Sequence, residues 1–86
     1  MMTRTYSVKF KSKSKMLTDE ESIKNTENAI LEESKAKAAK VEDAGQIVTI
    51  EADEEDFVSV MNTVVNVFRK IDDKSEVSYK FGLNRN

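Results

Sequence analysis

Eighty-six residues, 38% of them hydrophobic, with no cysteine, histidine, proline or tryptophan, set narrow limits. The length suits one domain, residues 1–86, with a modest core; the missing residue types exclude disulfides, thiolate chemistry, Cys–His metal sites and the usual general base. The net charge of −2 hides an uneven distribution: residues 1–15 carry five basic and no acidic side chains, residues 16–56 four and thirteen, residues 57–86 five and three.

In chain order, Tyr6, Val8 and Phe10 alternate with Thr5, Ser7, Lys9 and Lys11, the period of a half-buried strand. The strand is expected from Arg4 to Lys11, and to Lys15 if the chain stays extended. Lys9, Lys11, Lys13 and Lys15 would then share one face as a cationic ridge, each about 6.6–6.8 Å from the next. Residues 1–15 thus read as a basic strand or arm.

Thr18-Asp19-Glu20-Glu21 fits a capping box, and nothing breaks a helix from there to about Val41. Its apolar face is thin: Ile23, Ile30, Leu31, Ala38 and Val41, interrupted by Glu27 and Ser34. Gly45 reads as its stop signal. Gln46 to Glu51 is a short β-branched strand, with Val48 and Ile50 on one face and Ile47 and Thr49 on the other.

Asp53 to Asp56 opens a second helix with acidic residues suited to its dipole. Phe57, Val60, Met61, Val64, Phe68 and Ile71 follow at helical spacing, widened by Val58, Val65 and Val67. Glu76 to Phe81 alternates as a last strand, with Val77, Tyr79 and Phe81 inward and Gly82 ending it.

This order, β-α-β-α-β, predicts an α+β or small α/β fold: a three-stranded, largely parallel sheet with two helices on one face. A parallel sheet uncovered on one side and open at both edges requires either that one strand run antiparallel or that another chain complete the sheet; of the two, self-association, and so a homo-oligomer, is expected.

The lysine ridge suits a polyanion, since aligned ammonium groups neutralise phosphates and release counterions without reading sequence. It equally suits an edge strand protected from aggregation. Nucleic acid, RNA or single strands, is the expected ligand of Lys9, Lys11, Lys13 and Lys15, with Arg4, Lys80 and Arg85 in support. Tyr6, Phe10, Tyr79 or Phe81 would stack on bases only if exposed. The acidic run at Glu51 and residues 53–56 lacks the register of a calcium loop, so no metal and no cofactor are expected. Only two glycines, Gly45 and Gly82, and no phosphate-binding loop argue against an enzyme.

The alternative expectation is a protein-binding inhibitor or adaptor of a nuclease, toxin or other nucleic-acid-handling protein, contacted through Glu32, Glu33 and Glu54. Chain size, missing catalytic residue types and a Lys/Asn/Glu/Ile-rich composition are similar to those of small accessory proteins of phages and low-GC bacteria. That likeness is one of class, with no residue correspondence behind it. With no signal peptide and no apolar run near the length of a membrane span, a cytoplasmic protein is expected.

Overall fold

The computed structural model describes residues 2–79. The expectations placed on Lys80, Phe81, Gly82 and Arg85 lie outside them. The described chain forms β1 (Met2–Lys9), α1 (Glu20–Glu33), β2 (Ala38–Glu42), β3 (Ile47–Ala52), α2 (Phe57–Ile71) and β4 (Glu76–Tyr79). These make one four-stranded sheet in the order β2-β3-β1-β4, antiparallel at every junction. A β-α-β-β-α-β chain with this order is the split β-α-β arrangement of ferredoxin-like folds.

Two expectations are therefore corrected: the sheet has four strands, not three, and it is antiparallel. The reason lies in residues 34–46. Alanine and lysine there favour helix, yet α1 stops at Glu33 and Ser34 turns to φ −141°, ψ 178°. The Ser34 hydroxyl donates to the Ile30 carbonyl (2.6 Å) and accepts from the Ala36 N–H (3.1 Å), diverting the chain. β2 then buries Val41 and half-buries Ala39, with Ala38, Lys40 and Glu42 exposed. Tertiary burial and the ladder to β3 outweigh local propensity.

Gly45 stops no helix; it closes the β2–β3 hairpin. Asp43, Ala44 and Gly45 take positive φ of 54°, 56° and 95°. A Cβ on Gly45 would lie 3.0 Å from Leu17 and 3.1 Å from Phe10, so close packing demands glycine as much as the backbone does.

An antiparallel sheet tolerates one face in water. The argument for a second chain over an uncovered parallel sheet therefore falls away. β2, an edge strand, has its own cover: the Val41 N–H donates to the Glu27 carboxylate of α1 at 2.8 Å. Glu27 interrupts the apolar face of α1 for this reason.

The core lies between the sheet and the helices. Tyr6, Val8, Val48 and Ile50 are buried on the expected strand face, against Phe57, Val60, Val64, Val67 and Phe68 of α2. α1 contributes Ile30 and Thr26 as its buried residues, as its thin apolar stripe suggested. Its cap is Asp19, one residue later than expected; the carboxylate accepts from the Ser22 N–H at 3.0 Å.

Candidate nucleic-acid interface

The sheet ends, and the basic segment begins, at Lys9. Beyond it the chain bends: Lys15 N–H bonds to the Ser12 carbonyl (3.0 Å) and Met16 N–H to the Lys13 carbonyl (3.2 Å), coiling residues 13–15 into a tight turn. The expected extended ridge is corrected to a loop. Only Lys9 belongs to a strand, while Lys11, Lys13 and Lys15 lie in the loop.

Three contacts bend it. The Phe10 ring meets Phe68 edge-on, centroids 6.0 Å apart. Asp72, the residue closing α2, accepts from the Lys11 and Ser12 N–H groups through one carboxylate oxygen, both at 2.9 Å. Leu17 is buried, and its N–H donates to the Ala44 carbonyl of the hairpin turn at 2.8 Å. Extension to Lys15 would forfeit all three, and Ser12 and Ser14 offer no apolar side chain to hold a longer strand.

Asp72 is the electrostatic anchor of this end. It is 6% exposed, and its second carboxylate oxygen accepts from the Lys74 N–H at 3.1 Å. The Ser12 N–H is the main cause of a pKa held below the ordinary 3.8; burial opposes it, and the Lys74 and Lys11 N–H groups and the Lys15 charge reinforce it.

All four lysines of the segment are exposed. Among the described residues the ion pairs are Lys40–Glu42 (3.7 Å) and Lys70–Glu33 (3.6 Å), so none of the four is held in one. Lys9 faces Glu76 across the β1–β4 register. Lys9 and Phe10 wall two clefts: one of about 300 Å³ with Lys11, Lys74 and Glu76, the other of about 460 Å³ towards the hairpin. Lys74 is a basic residue that sequence reasoning missed; the turn that brings it here depends on Asp72, 60 residues along the chain from Ser12.

Arg4 is not brought to the lysines. It lies on the helix-facing side of β1, its guanidinium 4.5 Å from the Phe57 ring centre and 5.2 Å from that of Tyr79, and its Nε has no hydrogen-bond partner among the described residues. Burial raises the pKa of neighbouring Tyr6, with the Arg4 charge and hydrogen bond opposing. The acidic candidates are also scattered. Glu32 and Glu33 end α1, where Glu33 pairs with Lys70, and Glu54 opens the turn before α2.

The open sheet face carries Thr3, Thr5, Ser7, Thr49 and Ser78, with Lys9 and Lys40 beside the carboxylates of Glu42, Glu51 and Glu76, by strand alternation and register. Four-stranded sheets that bind RNA stack bases on exposed aromatic rings. No aromatic stands on this face among the described residues: Tyr6, Phe10 and Tyr79 have the opposite parity. Among the same residues, no group of three or more acidic side chains is placed to hold a metal ion, and no helix is long and apolar enough to cross a membrane. Compared with family models, curated proteins and solved structures, the chain gives no match.

Proposed function

We propose that this protein is a non-enzymatic module that binds single-stranded nucleic acid through its backbone. The carrying observation is the loop at the end of β1: Lys9, Lys11, Lys13 and Lys15 are exposed and without ion pairs among the described residues, on a backbone pinned by Asp72. A fixed loop presents its ammonium groups with less ordering cost than a free arm. Lys74 joins them from the following turn. The hydroxyls of Ser12 and Ser14, 2.9 Å apart, and of Ser7 supply neutral phosphate or sugar contacts. RNA or another single strand is the proposed ligand of the loop; Lys80 and Arg85 remain candidate supports.

The test is neutralisation. Replacing the four lysines with glutamine removes the charge and adds no new repulsion against Glu76. The variant is expected to keep its melting temperature and lose oligonucleotide binding at low salt. Retained binding would reduce the loop to an edge guard.

One observation favours a second reading, an inhibitor or adaptor docking on a nucleic-acid-handling protein. Val58 is 77% exposed and Tyr79 40%, beside a cleft of about 280 Å³ lined also by Phe57 and Met61. Exposed apolar surface of this kind marks protein contacts. Under that reading, Val58→Glu and charge reversal at Glu32 and Glu54 abolish a protein complex that lysine neutralisation leaves intact.

A further inference from the structure

The cleft between the loop and the hairpin adds a specific element, and the inference rests on the nucleic-acid reading above. It holds about 460 Å³ and is lined by apolar side chains, by cations and by polar groups of the hairpin. Phe10, Met16 and Ile47 are each half-buried, so each presents apolar surface to it. Lys9 and Lys13 line it as exposed cations, and Asp43 and Gln46 come from the hairpin turn.

We infer that this cleft seats one unstacked nucleobase against Phe10, Met16 and Ile47, with the adjoining phosphate held by Lys9 and Lys13. The volume exceeds what a single base needs. Flat rings gain from apolar and polarisable walls, and a thioether such as that of Met16 makes favourable contacts with aromatic rings. Charge fixes the orientation: the Asp43 carboxylate repels phosphate from the hairpin side, and the two ammonium groups draw it to the loop side. Ile47 explains itself in this arrangement. Among the described residues it is the one large apolar side chain on an otherwise polar sheet face, and it stands beside Ser7 in the β1–β3 register.

The experiment compares two oligomers of equal length and phosphate count, a short oligothymidine and its fully abasic counterpart, by fluorescence anisotropy with the full chain. The base-bearing oligomer is expected to bind roughly tenfold more tightly, the effect of burying about 50 Å² of base surface. Ile47→Thr, which retains β-branching and register, should erase that ratio while leaving abasic affinity unchanged; Met16→Ala should do the same. Equal affinity of the two oligomers for the unmodified protein overturns the inference and leaves backbone binding standing. So does a ratio that survives both substitutions. Binding of neither oligomer overturns the nucleic-acid reading and this inference together.

Discussion

Asp72 ties the loop after β1 to the turn that follows α2, two pieces of chain some 60 residues apart. One oxygen receives the Lys11 and Ser12 N–H groups, the other that of Lys74. Its pKa is depressed, first by the Ser12 N–H. The ionised form is therefore favoured in the folded state, and the stabilisation is complete above the unfolded pKa. It disappears as pH falls through the lower folded value. Titrated below about pH 4, the loop should lose amide protection at Lys11 and Ser12 ahead of the core. Asp72→Asn should produce that loss at neutral pH, because an amide offers one acceptor oxygen where the carboxylate offers two. If Lys11 and Ser12 stay protected in the variant, Phe10 and Leu17 hold the loop without help. Gly45 is the second residue on which this end depends. Gly45→Ala forces an L side chain to φ +95° and against Leu17 and Phe10. A stability loss of about 1–3 kcal/mol is expected, measured by urea unfolding; an unchanged midpoint would mean that the hairpin relaxes around the methyl group.

Among the elements, β1, β3 and α2 were legible in the sequence because alternation and helical spacing coincide there with the burial they imply. Tyr6, Val8, Val48 and Ile50 are inward, and Phe57, Val60, Val64 and Phe68 form the core stripe of α2. Val58 departs from the stripe, 77% exposed where the wide apolar arc placed it among the buried residues. β2 was illegible. Its two alanines and Lys40 favour helix, and what makes it a strand is the hairpin at residues 43–46, three of which take positive φ. Asp-Ala-Gly-Gln was itself a readable turn signal, with Gly45 at a left-handed position. The lysine segment misled for a related reason: alternation of lysine and serine has a strand's period but no apolar face to enforce it. The cleft and Lys74 could not be found from local pattern, since they depend on Asp72 and the hairpin meeting the loop. Glu27 offers a test at this scale. Removing its carboxylate with Glu27→Ala frees the Val41 N–H, which lies at a buried residue. A loss of about 1–3 kcal/mol is expected, together with faster exchange of the Val41 amide; slow exchange in the variant would assign edge protection to some other group.

For the molecule as a whole, the fold separates Arg4 from the lysine segment that the sequence reading set it to support. The lysine loop sits at the end of the sheet where β1 meets the β2–β3 hairpin and the turn into β4. Arg4 lies on the opposite face of β1, packed on Phe57 and Tyr79. A net charge of −2 with a local cluster of lysines favours binding confined to one patch over coating of the whole surface. Core variants should then weaken binding only by unfolding the protein. Ile30→Ala, at a fully buried position on α1, is expected to cost about 2–5 kcal/mol, while leaving the affinity of the folded fraction unchanged. The most direct measurement of the central claim is the salt dependence of binding to a single-stranded oligonucleotide. Engagement of four lysines predicts that log K falls against log salt with a slope of about −3, and that the slope collapses when those lysines become glutamine. A flat salt response, or an unaltered slope in the glutamine variant, would contradict it.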